Sequence, residues 1–397
     1  MTTQTAPTGP TTKAENWPGV LALGLGIFAL IMAEFLPASL LPRMAEDLDV
    51  SAGAAGQAVS VTAFAGAASA LLISVLLPRA DRRRVMIGLT LLAVVSNVVV
   101  AVAPNLTVLL LARLLLGVAI GGFWAMATAV AARLVHENHL GRALTVISSG
   151  VALATVAAVP LGAYLGDVWG WRAVFVIGAA AAALALVAQA ATLPHVAPGT
   201  TSSVRALIDV LRSAIVLAGL LGILLVFGGH FSGFTYIRPA TDAVADLDGG
   251  SFAALLLAFG VANFLGSLLA GPLADRSPRT GLFLFPVVLA TGMLATSLSG
   301  GAAAVLFVAA ALWGFGFGGM PTTVLSWGAR TQPTRIEQVS GVVVTVCNLA
   351  IAIGAAAGGL FVDGVSATAP LIAGAVAVYS GGVLLTYLNR AKGTDRA

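Results

Sequence analysis

The sequence predicts an all-α membrane protein with twelve transmembrane helices in two six-helix halves. Three observations predict it. Of the 397 residues, 59% are hydrophobic and only 9% are charged, against about 25% charged in soluble domains. A soluble core cannot absorb that much apolar surface, so most of the chain must face lipid or other spans. The apolar residues also come in continuous runs rather than in alternation, which selects helices over a β-barrel. Finally, basic residues gather in every second connection between the runs, as they do when successive loops lie on opposite sides of a membrane.

Residues 1–12, "MTTQTAPTGPTT", are Thr- and Pro-rich and lack the basic start of a secretory signal. Residues 1–17 therefore read as a disordered cytoplasmic N-terminus, and 18–41 as an uncleaved first span. Further spans follow at 55–77, 85–103, 107–130, 143–166 and 172–192. Residues 193–213, the longest polar stretch, read as a cytoplasmic linker. The second half runs from 214 to 389, with spans at 214–237, 251–273, 281–299, 302–327, 339–362 and 369–389, and 390–397 form a cytoplasmic tail. Each run is near the roughly 20 residues that a helix needs to cross the hydrocarbon.

With the N-terminus inside, sixteen of the twenty Lys and Arg residues fall on the cytoplasmic side. Arg43, Arg172 and Arg238 fall outside, and Arg113 lies within a span. This bias accounts for the net charge of +4 without nucleic acid as a partner. The lone cysteine, Cys347, rules out an intramolecular disulfide and reads as a small core residue. No metal or other cofactor is expected. His136 and His139 have a metal-like spacing but no third ligand, which suits a solvated loop.

The halves repeat each other. "LLPRADRRR" at 76–84 answers "GPLADRSPR" at 271–279, with Asp81 and Asp275 194 apart. "GVAIGG" at 117–122 answers "GFGFGG" at 314–319, with the glycines and the following Arg133 and Arg330 offset by 197. Asp167 and Asp363 are 196 apart. Parallel halves of six spans are a transporter architecture, with cargo held at mid-membrane between them. The Gly-rich runs, with "GAAAGG" at 354–359, suit close helix packing rather than a nucleotide loop.

Glu34 and Arg113 are the only acid and the only base placed within spans. At about 1.5 Å rise per residue, both lie roughly 10 Å below the outer ends of their helices. Burying an isolated carboxylate costs several kcal/mol, so a static pair and a proton-exchanging pair both suit this placement. The Asp-Arg loops, Asp81-Arg82 and Asp275-Arg276 with Arg279, are placed to latch the inner face or simply to hold the loops inside. Trp124, His230, Tyr236, Asn263, Trp313 and Asn348 are candidates to line a cavity. Aromatic rings there would stack on a planar ligand, and Asn and His would bond its polar edge. Each also suits packing or an interhelical hydrogen bond. An enzyme would need a cluster of nucleophiles or metal ligands at one depth, and a channel would not need the two-half repeat.

The Asp-Arg loops, Arg113 within "LLLARLLLGVAIGG" and the twelve-span repeat together resemble the major facilitator superfamily over nearly all of the chain after residue 17. "EFLPASLL", "HFSGFTYIRP" and "NLAIAIGAAAGG" resemble its bacterial drug and sugar exporter group, which exchanges substrate for protons. "NWPGVLALGLGIFALIMAEFLPASLLPRMAEDL" and "GGFWAMATAV" are similar to purine ribonucleoside exporters of enteric bacteria. The resemblance implies the major facilitator fold and a proton-coupled antiporter. It would be a monomer in the bacterial inner membrane, with Glu34 and Arg113 in coupling and inosine or guanosine as cargo. A sugar or a drug is the alternative cargo. The chain departs from the superfamily loop pattern at Leu77, Arg84 and Pro278, and from the exporter pattern of the fifth span around Pro160 and Gly162.

Overall fold

A computed structural model describes residues 15–77, 79–136, 139–197, 211–245, 247–332 and 336–394. Most of the expected N-terminal arm, most of the linker and the end of the tail lie outside these residues. Among the described residues twelve helices are long and apolar enough to cross a membrane, and no strand occurs.

The first four spans are Trp17–Asp47, Ala52–Leu76, Arg82–Ala101 and Leu106–Leu134. The fifth runs Leu140–Leu153, widens into one π-helical turn at Ala154–Ala158, and continues as Val159–Trp169. Trp171–Thr192 is the sixth, and the second half comprises Ala214–Phe234, Gly249–Arg276, Pro278–Ser297, Ala303–Thr331, Ile336–Gly364 and Ala369–Thr394. Polar residues start several of them. Asn16, Ser51, Asn105 and Asp248 accept hydrogen bonds from the amides of Gly19, Ala54, Val108 and Ser251, which have no partner inside the first helical turn. Gly170, at φ 82°, turns the chain between the fifth and sixth spans in a conformation that side chains disfavour.

Two differences from the sequence expectation matter. Pro42 does not end the first helix, which continues to Asp47. The expected seventh span, 214–237, instead stops at Phe234, where Thr235 and Tyr236 turn back onto Phe231 and Gly233. Pro239 then sits in the first turn of a short helix, Ile237–Val244, where its missing N–H costs nothing.

The glycine runs behave as expected. A Cβ on Gly117 or Gly121 would strike the backbone of Thr62 or Gly66, so the fourth span lies directly on the second. Gly314 and Gly318 meet Phe259 and Asn263 in the same way and lay the tenth span on the eighth. One apolar core is built from residues between Val20 and Val196, and another from residues between Val216 and Leu385 with Ala38, Val159 and Ala163 added. Between the two, the second span packs on the eleventh and the fifth on the eighth.

The joint between the halves is built at the end of the bundle that carries Arg43, Arg172 and Arg238, here termed the arginine-poor end. There the Phe35 ring meets Phe231 and Phe234, with centroids 6.2 and 5.8 Å away. Gly260 lies against the backbone of Thr155 and Val156 at the π turn. In the fifth span, residues 158–160 and 162–163 are buried. Thr145, Ser148 and Ser149, nearer the arginine-rich end, are exposed.

Candidate functional site

Glu34 sits in the middle of the first span and is 5% exposed. Three residues on, Pro37 lacks the N–H that would bond the Ala33 carbonyl. Arg113 reaches across from the fourth span and supplies it. Its Nη1 donates to the Ala33 carbonyl at 2.8 Å, its Nη2 to the Glu34 carbonyl at 3.1 Å and its Nε to the Ala58 carbonyl at 3.2 Å. Arg113 is fully buried and joins the first, second and fourth spans.

The expected acid-base pair thus takes another form. The guanidinium grips the main chain of Glu34, and among the described residues the Glu34 carboxylate has no hydrogen-bond or ion-pair partner. The two charges still interact through space. The physical reason is the proline: a stranded carbonyl in a low-dielectric interior is a site that five planar N–H donors fill well.

Of the six residues expected to line a cavity, three are buried in this state. Trp313 Nε1 donates to His230 Nδ1 at 2.9 Å, and the imidazole stacks on Phe317 with centroids 3.6 Å apart. Phe234 and Phe259 complete a ring cluster around them. The Trp313 N–H and His230 Nδ1 satisfy each other and both side chains are buried, so in this state they belong to the core. Tyr236, also buried, donates to the Ala355 carbonyl at 2.9 Å and lies 3.5 Å from the Gly53 carbonyl of the other half. It is part of the joint. Trp124 is exposed, and Asn263 and Asn348 are half-buried. Asn348 faces Gly66 across the halves, and its amide group donates to its own helix at Val344.

The Asp-Arg loop of the first half is tied within that half. Asp81 accepts from the Arg83 and Val196 amides and pairs with His195, while Arg82 donates to the Leu77 carbonyl. In this state it holds the exit of the sixth span rather than the opposite half. Arg276 and Arg279 are exposed, and the Asp275 side chain lies outside the described residues.

Also at the arginine-rich end, Glu15 accepts from the His136 amide at 3.0 Å and lies 2.7 Å from His139 Nδ1. Hydrogen bonds from the His136 amide, from His139 and from Trp17 hold its carboxyl down at about 2. The Ser251 amide and hydroxyl hold Asp248 below the usual carboxylate range at the start of the eighth span.

Sequence reasoning missed the ties at the other end. Arg43 pairs with Asp167 at 2.8 Å, Arg172 with Asp47, and Arg238 with Asp242 at 3.0 Å. All three arginines there are neutralised by carboxylates. Asp363 crosses between halves to the Ser51 hydroxyl at 2.6 Å and the Gly53 amide at 3.0 Å. The equal spacing of Asp167 and Asp363 in the repeat was the available signal.

A family model described as Major Facilitator Superfamily matches residues 23–355. The chain belongs to the major facilitator superfamily. It is a multi-pass membrane transporter, not an enzyme. Among its relatives is a protein named transcription regulatory protein OpdE, from Pseudomonas aeruginosa, 36% identical over 384 residues and 96% of each chain. Another is the purine ribonucleoside efflux pump NepI of Salmonella paratyphi B, 36% identical over 370 residues, covering 93% of this chain and 92% of that one. The fold matches a crystal structure of a bacterial homologue of the human lysosomal transporter Spinster, in an inward-facing, unoccupied conformation. The TM-score is 0.68 at 16% identity, over 95% of this chain and 96% of that one. The superfamily fold thus accounts for the two cores, the packing of the second span on the eleventh and that of the fifth on the eighth.

Proposed function

We propose that this major facilitator is a proton-coupled exporter of purine ribonucleosides, such as inosine and guanosine, in the bacterial inner membrane. The observation that carries the coupling is the Glu34 carboxylate, buried and without a bonding partner beside a guanidinium committed to backbone carbonyls. Such a carboxylate is costly to keep ionised and gains most from exchanging a proton as its surroundings open and close. Its place three residues before Pro37, where the helix's own hydrogen-bond ladder is interrupted, ties that exchange to movement of the first span. The choice of cargo is supported by the relatives named purine ribonucleoside efflux pumps.

The basic-residue bias supports a cytoplasmic arginine-rich end, with both termini on that side. The structure is then an inward-facing state, closed outside. Cargo enters from inside between the halves, where Trp124, Asn263 and Asn348 are accessible to it. The halves rock, cargo leaves outside as Glu34 takes a proton, and the protonated carrier returns. When the inner end closes, Asp81, Arg82, Asp275, Arg276 and Arg279 meet across the halves. The transporter acts as a monomer.

Proteoliposomes test this. Inosine moves against its gradient when a pH gradient is imposed. Glu34→Gln loses that driven movement while keeping inosine-for-inosine exchange. Full pH-driven transport by Glu34→Gln would rule out the carrier role. A panel of sugars and antibiotics in the same vesicles checks the cargo.

A further inference from the structure

The joint at the arginine-poor end is built twice, with a carboxylate at equivalent places in the two halves. Asp363, at the end of the eleventh span, accepts from the Ser51 hydroxyl and the Gly53 amide, at the helix start of the second span. Asp167, at the end of the fifth span, lies against Gly249, the first residue of the eighth, with the Arg238 Nη1 at 3.8 Å. A Cβ at either glycine would collide with the facing carboxylate. The two carboxylates are 196 apart in sequence, and so are Gly53 and Gly249. One internal two-fold therefore relates both contacts, and each joins opposite halves.

We propose that Asp167 and Asp363 are paired latches that hold this end shut, each carboxylate of one half seated on a helix start of the other. For Asp363 the chemistry is that of an anion at a helix N-terminus, where free amides and the helix dipole attract negative charge, and for Asp167 it is an ion pair with Arg238 beside such a terminus. Glycine at each seat lets the carboxylate approach the backbone. Arg43 and Arg238 steady Asp167, and Ser51 steadies Asp363. The inference rests on the alternating-access reading but not on the cargo or the proton.

The test places spin labels at Val102→Cys and Leu298→Cys, exposed residues on opposite halves at this end, in a Cys347→Ser background reconstituted in liposomes. The double variant Asp167→Asn/Asp363→Asn is expected to raise the long-distance, open population by roughly tenfold or more over the unaltered latch, from the loss of the charge-assisted cap at Gly53 and of the Asp167–Arg238 ion pair. Gly53→Ala/Gly249→Ala leaves the carboxylates in place and wedges both seats, and it shifts the distances the same way. This second pair settles the matter if the first does not fold. Asp47→Asn, which breaks a pair inside one half, leaves the distances unchanged. If inosine with an imposed pH gradient opens the parent protein while both double variants match it at rest, the latches are overturned alone. If the label distance stays fixed in every protein and condition, alternating access fails and the latches fail with it.

Discussion

Arg113 offers the sharpest test of how the site is held. It makes three hydrogen bonds to main-chain carbonyls, at 2.8, 3.1 and 3.2 Å, on two other helices. Bonds from charged donors are worth about 1.5–3 kcal/mol each. Lysine keeps the charge but presents a compact ammonium that reaches one or two of the three carbonyls. Arg113→Lys is therefore expected to lower unfolding free energy in mixed micelles by roughly 2–4 kcal/mol. The proline makes a stricter version possible. In Pro37→Ala the new amide bonds the Ala33 carbonyl from within the helix. The double variant Arg113→Met/Pro37→Ala should then be about 1–2 kcal/mol more stable than the two single changes predict, because one orphaned acceptor is filled again. Denaturant unfolding of the four proteins closes the cycle. A coupling energy of zero would show that Arg113 does not serve the carbonyl that Pro37 strands.

Other outcomes follow from the same geometry. Gly121→Val drives its side chain into the Gly66 backbone and should abolish folded yield, whereas Gly88→Ala has nothing within 4 Å and should raise the melting temperature slightly. Trp313→Phe removes the donor to His230 Nδ1, and an unfolding assay should record a loss of about 1–3 kcal/mol. Because Glu15 is held down at about 2 in the folded protein against an ordinary 4.5, it stabilises the fold fully above about 4.5 and progressively less as pH falls toward 2. The melting-temperature advantage of the parent over Glu15→Gln should shrink across that window; a constant difference would remove Glu15 as its cause.

The twelve helices were legible because lipid imposes one composition on every span, and Gly117, Gly121, Gly314 and Gly318 announced their packing by spacing alone. Arg113 and Glu34 were legible as unusual residues. Their arrangement was not, because it depends on a carbonyl at Ala33 that only the backbone path reveals. His230 and Trp313 looked like polar handles for a ligand, and each proved to be the other's partner, since a donor and an acceptor on different helices carry no mark of their pairing. The break at Thr235 was hidden for a related reason. The run "GGHFSGFTYIRP" stays apolar enough to read as one helix, while Pro239 shows only in three dimensions that a second one has begun.

The widened turn at Ala154–Ala158 sets a rule on insertions and deletions in the fifth span. Removing one residue there would restore ordinary helix and leave what lies beyond it in register, whereas removing one elsewhere in the span, with the wide turn kept, would rotate everything beyond it by about 100°. That twist would carry Asp167 away from Arg43, Arg238 and Gly249 together. A one-residue deletion in the fifth span is thus expected to be tolerated best at the wide turn itself and worst between that turn and Asp167.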